Sequence, residues 1–292
     1  MYLPFSKYAG CGNDFILVDN RENIFPVHAC GLIQSLCHRQ CGIGADGVIL
    51  VEKSSKADFK MRIFNADGSE AEMCGNGIRC LLKYLRELGY TGKTYTIETM
   101  LRCLEVAFEG ENVKVQMGDP QNERYDESCD AGPAQSPCTL HHIDTGVPHV
   151  VMFAEDIEHI DLQKLGATIR HHPKFAPHGV NVNVASLCLT QNALRVRTFE
   201  RGVEAETLAC GTGATAVALI AAHKYGLKSP ITVHTKSKET LDIAFSHKER
   251  THRHPLSGKD SPLPSAFSNV TMCGPATYVY RGNINIRKDM IS

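Results

Sequence analysis

The sequence predicts an α+β protein built from two similar domains. The chain has 292 residues, enough for two domains that each bury a core. Strand-like and helix-like runs follow the same order in both halves of the chain. In each half, a cysteine followed by Gly-x-Gly precedes a helix-like run. Together these observations predict a duplicated fold.

In the first half, runs of β-branched and alternating apolar residues predict six strands. They cover residues 15–20, 48–53, 59–65, 94–100, 104–110 and 112–118. Helix-like runs at 28–40 and 77–88 interrupt them, so the predicted order is strand, helix, strands, helix, strands.

The second half repeats this order of elements. The predicted strands cover residues 149–154, 180–187, 193–200, 231–236, 240–246 and 276–286. The predicted helices cover 160–170 and 213–226. The polar stretch 118–138, which contains proline and glycine, predicts the boundary between a domain 1–120 and a domain 121–276. The basic, His- and Pro-rich stretch 246–265 predicts an exposed loop.

Composition excludes several classes of function. A formal net charge of -1 argues against a nucleic-acid partner. The longest apolar run, 213–223, is about half of the roughly 20 residues that span a membrane. No charged segment followed by an apolar one opens the chain, and twelve cysteines in so long a chain are not typical of a secreted disulfide scaffold. We therefore expect a cytoplasmic protein.

The two halves can be aligned by a constant offset. Cys74 and Cys210 lie 136 positions apart, and so do Asn13 and His149. The segment 62–77, "RIFNADGSEAEMCGNG", corresponds to "RTFERGVEAETLACGTG" at 197–213, which is one residue longer. We expect a duplication in which two equivalent helix starts face one cleft.

A cysteine at the start of a helix has a specific chemistry. The unpaired N–H groups and the positive end of the helix dipole favour the thiolate and also bind a carboxylate. Two such thiols on opposite faces of one carbon could remove a proton from one side and return one from the other. This pattern predicts a cofactor-independent racemase or epimerase.

Five segments of the chain, in order, carry a resemblance to a known family. They are "KYAGCGNDFILVD" (7–19), "CGIGADG" (41–47), "MRIFNADGSEAEMCGNGIRC" (61–80), "GVNVNVA" (179–185) and "TFERGVEAETLACGTGATA" (198–216). In these segments the chain resembles diaminopimelate epimerase, an enzyme of lysine and peptidoglycan precursor synthesis that uses no pyridoxal phosphate. The resemblance implies epimerisation of L,L-diaminopimelate to the meso form.

The resemblance also implies a fold and a set of site residues. Each domain would be a mixed, β-barrel-like sheet around a central helix, with the active site in the cleft between the domains. The C-terminal segment, about 277–292, would return to the first domain. The implied catalytic residues are Cys74, Cys210, Glu200 and His149. The implied substrate-binding residues are Asn13, Asn65, Gly75, Asn76, Asn181, Glu200, Arg201, Gly211 and Thr212.

The same resemblance assigns roles within that set. Glu200 and His149 would orient the substrate amine and assist proton transfer. The sequence alone leaves open which cysteine acts on which stereoisomer, and we take Cys210 as the proton acceptor and Cys74 as the donor in the L,L to meso direction. Gly75 with Asn76, and Gly211 with Thr212, would supply backbone donors for the α-carboxylate. No cofactor and no metal are implied, the partner is a small-molecule amino-acid substrate, and a homodimer is left open.

Two positions depart from the family pattern. Where the family commonly has Gly-Asn-Pro-His, this chain has Val147, so a hydrogen bond to the distal end of the substrate is missing. We therefore expect a relaxed specificity that includes amino acids such as glutamate. The extra residue between Glu200 and Cys210 is the second departure.

Other interpretations remain open on the residues alone. Asn13 could shape a turn, Arg201 could be a solvated charge, and His149 could be a hydrogen-bonded histidine at a strand start. A thiol-disulfide oxidoreductase would require C-x-x-C, which is absent. A metal module would have to use four residues whose spacing fits no common zinc pattern: Cys30, Cys37, His38 and Cys41. A proline or hydroxyproline racemase is the closest alternative.

Overall fold

The structure is a computed structural model that describes residues 2–130, 138–248 and 265–286. The chain divides into two compact units. The first consists of Met1–Val115 together with Cys273–Ser292, and the second consists of Gln116–Met272. The predicted domain bounds, 1–120 with about 277–292 and 121–276, stay a prediction.

Strands and short helices alternate along the described chain. In the first unit they are β1 (Tyr2–Gly10), β2 (Asn13–Asp19), α1 (Cys30–Cys37), β3 (Gly47–Glu52), β4 (Phe59–Asn65), β5 (Glu70–Ala71), α2 (Gly75–Glu87), β6 (Thr94–Glu98), β7 (Cys103–Glu109) and β8 (Asn112–Gln116). There follow β9 (Gln121–Cys129), β10 (Cys138–Asp144), β11 (Pro148–Phe153), α3 (Leu162–Arg170), β12 (Asn181–Cys188), β13 (Ala193–Glu200), β14 (Ala205–Thr207), α4 (Gly211–Tyr225), β15 (Ile231–His234), β16 (Thr240–His247) and β17 (Phe267–Gly274). The last strand is β18 (Thr277–Asn285), and single turns of 3-10 helix cover Pro173–Phe175 and Leu189–Gln191.

The two units pair their strands in the same pattern. In the first, β1 is antiparallel to β2, β2 is parallel to β3, β3 is antiparallel to β4 and β4 is parallel to β6. In the second, β10, β11, β12, β13 and β15 repeat these relations in order. In the first unit, β18 adds an antiparallel strand to β1. The predicted α+β class, with two similarly built halves, is confirmed.

Each unit encloses one buried helix. In α2, most residues from Asn76 to Leu85 are buried, including the charged Arg79. In α4, the twelve residues Gly211–Ala222 are all buried. A helix that is apolar all round must be covered on every side, and the Ala-, Gly- and Thr-rich sequence of α4 lets the surrounding strands approach closely. Each unit therefore holds the start of a central helix within its sheet.

Some elements differ from the sequence-based prediction. The stretch 118–138, expected to be an irregular boundary, contains β9 at Gln121–Cys129, because its polar residues alternate along an antiparallel pair with β10. Strands β1, β5, β10, β14 and β17 were also not predicted, and α1 is shorter than 28–40. Of the predicted loop 246–265, residues 249–264 lie outside the described residues.

Candidate active site

Cys74 occupies the N-cap of α2. Its backbone is extended (φ -141°, ψ 115°), and its thiol accepts a hydrogen bond from the backbone N–H of Gly77, 3.4 Å away. The thiol thus lies beside N–H groups that have no partner within the helix, where a thiolate is favoured. The sequence-based placement of this cysteine at a helix start is the one found.

Asn13 and Asn76 contact each other in the first unit. The Asn76 amide donates to the Asn13 side-chain oxygen at 2.7 Å, and Asn13 donates to Asp46 at 3.0 Å. The buried guanidinium of Arg79 donates to the Asn76 oxygen at 2.8 Å. Asn65 lies at the end of β4, exposed, and donates to Ser69 at 3.0 Å. Sequence reasoning missed Arg79 and Asp46, which set the orientation of the two amides.

Cys210 occupies the N-cap of α4, with the same extended backbone (φ -124°, ψ 113°). Its thiol is buried and lies 3.4 Å from the Thr212 hydroxyl, rather than bonding the helix N–H groups as Cys74 does. The two predicted thiols therefore share a position in their helices but differ in their hydrogen-bond partners.

His149 is fully buried at the start of β11. Its Nε2 lies 2.9 Å from the Thr212 hydroxyl, and its Nδ1 lies 3.2 Å from the side-chain nitrogen of Asn183. Burial lowers the pKa of His149 to about 3, with further lowering by the charges of His142 and Arg201. The imidazole is therefore neutral at physiological pH and is joined to Cys210 through one hydroxyl.

Glu200 ends β13 and also contacts the Cys210 side chain. Burial raises the pKa of the Glu200 carboxyl, while hydrogen bonds from Thr207 (2.5 Å) and Cys210 oppose that rise. A carboxyl with a raised pKa beside a thiol can exchange a proton with it. Sequence reasoning did not identify Thr207. This residue lies close to Glu200 because β14 pairs with β13.

Asn181 connects two further predicted positions. Its side-chain oxygen accepts from the backbone N–H of Arg201 at 2.9 Å, and its amide donates to the Pro148 carbonyl at 3.2 Å. The start of β11, the start of β12 and the end of β13 are thereby held together in the second unit. This unit brings together His149, Asn181, Glu200, Arg201, Cys210, Gly211 and Thr212.

The second glycine of each Cys-Gly-x-Gly segment has a packing role. A Cβ at Gly77 would lie 2.9 Å from a methyl group of Ile49, and one at Gly213 would lie 2.5 Å from the side-chain oxygen of Asn183. Both glycines therefore leave room for neighbouring side chains of the protein.

Val147 lies in the turn between β10 and β11, and its side chain is half-buried. The turn is closed by the Thr145 N–H, which donates to the Val147 carbonyl at 3.2 Å. The Thr145 hydroxyl donates to the Thr212 carbonyl at 2.9 Å. The turn that carries Val147 is thus attached to the start of α4.

Acid should destabilise the protein through His149. Its pKa falls from 6.5 to about 3 on folding, so below about 6.5 the unfolded chain binds a proton that the folded chain does not. The free energy of unfolding should therefore decrease as the pH falls from 6.5 towards 3. Urea unfolding of wild type and His149→Gln at several pH values tests this.

The His149→Gln protein should show a shallower loss of stability with acid. The buried His141 and His142, whose pKa values burial also lowers, should account for part of the slope that remains. His178→Gln, which removes an exposed histidine, provides the control for the substitution itself. An unchanged slope in His149→Gln would contradict the prediction.

A surface cavity of about 420 Å³ lies in the first unit, away from the predicted site residues. Its two cations are already paired, Arg21 with Asp19 and Lys53 with Glu22. The residues that line it are Arg21, Lys53, Ser54, Asp58, Phe59, Tyr90 and Tyr95. Both cations of the cavity are therefore engaged with carboxylates of the chain.

The metal-module alternative finds no support in the described residues. Within 2–130, 138–248 and 265–286, no group of three or more His, Cys, Asp or Glu side chains is placed to hold a metal ion. Cys37 is buried in the core, whereas Cys30 and Cys41 are exposed. Over the same ranges, none of the helices has the length and apolar character needed to cross a membrane.

Solved structures share this fold at low sequence identity. A Bacillus anthracis phenazine biosynthesis protein of the PhzF family superposes with a TM-score of 0.72 at 15% identity, covering 98% of this chain and 100% of that one. A probable proline racemase from Agrobacterium radiobacter gives 0.68 at 14% identity, covering 98% and 93%. At these identities the likeness shows a shared fold, and the sequence matches that follow give the class of protein, an epimerase.

Sequence comparison identifies the family. The diaminopimelate epimerase profile matches residues 5–123 and 141–255. The chain is 43% identical to a diaminopimelate epimerase of Methanothrix thermoacetophila, over 97% of this chain and 96% of that protein. It is 37% identical to one of Chlorobaculum tepidum, over 95% and 100%. The chain belongs to the diaminopimelate epimerase family, as its five motifs predicted.

Proposed function

We propose that the chain converts L,L-diaminopimelate to meso-diaminopimelate by proton transfer at one α-carbon between the thiols of Cys74 and Cys210. The observation that carries the proposal is the shared position of the two cysteines. Each caps the buried central helix of a unit, and the two units have the same strand pairing. Inversion of a carbon requires one proton-transfer group on each face, and the duplication supplies two.

The proposed reaction transfers one proton in each direction. The Cys210 thiolate removes the α-proton, and the electron pair left on the carbon spreads into the α-carboxylate. Backbone N–H groups at the helix starts, Gly75–Asn76 and Gly211–Thr212, stabilise that charge. The Cys74 thiol then gives its proton to the opposite face. Electrons and protons balance without a cofactor, and the two thiols exchange protonation states.

The remaining predicted residues fit roles around these thiols. Glu200, with its raised pKa and its contact with Cys210, can accept or return a proton at that sulfur. His149 acts on the same sulfur through Thr212. Asn13, Asn65, Asn181 and Arg201 would hold the polar groups of the substrate.

We also propose a relaxed specificity that follows from Val147. A valine side chain cannot hydrogen-bond to a distal amino or carboxylate group. Its turn is attached to the start of α4 through Thr145, so it would lie near bound substrate. Shorter acidic amino acids such as glutamate, which have no distal amino group, would then compete better.

The assignment can be tested with purified protein and a single substrate. We expect L,L-diaminopimelate to be converted to a mixture with the meso form, measured by chiral chromatography. Conversion of L-proline or hydroxyproline, with none of diaminopimelate, would favour the racemase alternative. The product would serve lysine and peptidoglycan precursor synthesis, and we place this thiol-dependent enzyme in the reducing cytoplasm.

We propose that the enzyme is a homodimer that associates through β18. This strand pairs with β1, and three consecutive apolar side chains on it, Tyr278, Val279 and Tyr280, are 41–51% exposed. Exposed apolar side chains on a strand are suited to pairing with a second copy of the same strand.

Val279→Lys should shift the protein towards a monomer. The added charge would have to be buried against its own copy, which repels it. Sedimentation velocity measures the change, and Leu189→Lys, at another exposed apolar position, provides the control. Equal behaviour of the two variants would contradict association through β18.

A further inference from the structure

Asn183 lies fully buried on β12 and makes hydrogen bonds with both ends of its side-chain amide. One end lies 2.9 Å from the Val150 carbonyl and the other accepts from the Thr198 hydroxyl at 2.9 Å. A carbonyl oxygen can only accept, so the end that faces Val150 must be the NH₂ group. The orientation of the amide is thereby determined.

The same NH₂ group determines the protonation of His149. It lies 3.2 Å from Nδ1 of the ring, and because it can only donate, Nδ1 must be the acceptor. The ring is neutral and fully buried, so its single proton resides on Nε2. Asn183 therefore selects one tautomer of His149.

The selected tautomer sets the direction of the next two hydrogen bonds. Nε2–H donates to the Thr212 hydroxyl at 2.9 Å, so the hydroxyl's own hydrogen is available for the Cys210 sulfur at 3.4 Å. A hydroxyl that donates to sulfur stabilises the thiolate. With the other tautomer, Nε2 would accept the hydroxyl hydrogen and leave none for the sulfur.

We propose that Asn183 is a positioning residue, which fixes the Nε2–H tautomer of His149 so that Thr212 donates its hydrogen bond to Cys210 and favours the thiolate. The chain of contacts lies wholly within the second unit. The importance of Asn183 for turnover rests on the proposed function of Cys210. The tautomer of His149 and the reactivity of the Cys210 thiol do not depend on that function.

A glycine on α4 leaves room for the side chain of Asn183. Gly213, in the first turn of α4, is the residue against which the Asn183 oxygen packs, and a Cβ there would come within 2.5 Å of it. The charged or titratable groups near these hydrogen bonds are His142 and Arg201 beside His149, and Glu200 beside Cys210. All three remain in place when Asn183 is replaced.

The first measurement needs no variant. Nitrogen-15 NMR of histidine-labelled protein distinguishes a protonated from an unprotonated ring nitrogen. We expect Nε2 of His149 to carry the proton and Nδ1 to be unprotonated. A proton on Nδ1 in the wild-type protein would overturn the proposal.

Asn183→Asp should reverse the tautomer. A carboxylate accepts from Nδ1–H, so the ring proton moves and Nε2 then takes the Thr212 hydroxyl hydrogen. Alkylation of Cys210 by iodoacetamide at neutral pH, followed by peptide mapping, should slow by about tenfold. Asn192→Asp, at an exposed amide that also donates to backbone carbonyls, should leave both readouts unchanged.

A double-mutant comparison separates this role from simple structural damage. Thr212→Val removes the hydroxyl and should slow Cys210 alkylation to a similar extent. Asn183→Asp should then have no further effect in the Thr212→Val background, because both changes interrupt the same contact. Independent, additive effects would overturn the proposal. None of these readouts uses diaminopimelate, so a failure of the proposed reaction would not alter them.

Discussion

We expect Cys74→Ala and Cys210→Ala each to abolish epimerisation of diaminopimelate, with losses of at least about 10³-fold. Each variant keeps its helix start and its backbone N–H groups, so the α-carboxylate can still bind. What is lost is the group that takes or returns a proton on one face of the α-carbon. Chiral chromatography of the reaction mixture measures the loss directly.

Two other cysteines provide matched controls for this experiment. Cys41 is exposed, Cys188 ends β12, and neither caps a helix around which a sheet folds. Cys41→Ala and Cys188→Ala should retain wild-type activity. Substantial epimerisation by Cys74→Ala or Cys210→Ala would contradict a mechanism with one thiol on each face.

The second large effect should come from Val147→Asn. An amide at this position can hydrogen-bond to the charged distal group of diaminopimelate, and one such bond contributes about 1.5–3 kcal/mol. The KM for diaminopimelate should fall by about tenfold or more, while kcat changes little because the thiols are untouched. Any side racemisation of glutamate should decrease relative to diaminopimelate turnover.

Val147→Ala separates hydrogen bonding from size in the same experiment. It changes the volume of the side chain without adding a donor or acceptor, so it should not lower the KM. A Val147→Asn enzyme that binds diaminopimelate no better would refute the relaxed-specificity proposal and leave the epimerase assignment unaffected.

Local patterns in the sequence were sufficient to locate the two central helices. Cys74 and Cys210 stand where extended backbone meets a helical run, and the glycines after them mark that transition. The matching order of elements in the two halves likewise predicted two similarly built halves. These features depend on neighbouring residues, which a sequence displays directly.

Features that depend on distant residues were not predictable in the same way. The strand β9 is polar on both faces, so its sequence shows no alternation of apolar and polar residues. The strand β1 contains Pro4, which interrupts a strand-like pattern. Asn183 is one polar residue in an alternating run. Nothing local indicates that its amide faces His149, a contact that arises only when β12 pairs with β11.

The most direct test of the two-thiol account is to follow solvent deuterium during conversion of L,L-diaminopimelate in D₂O. If separate groups act on the two faces, the meso product acquires deuterium at the inverted carbon, while L,L substrate recovered early in the reaction contains almost none. A single base that both removes and returns the proton would label recovered substrate and product alike. Deuterium in the recovered L,L substrate at the rate of product formation, or a product that retains its original α-hydrogen, would contradict the account.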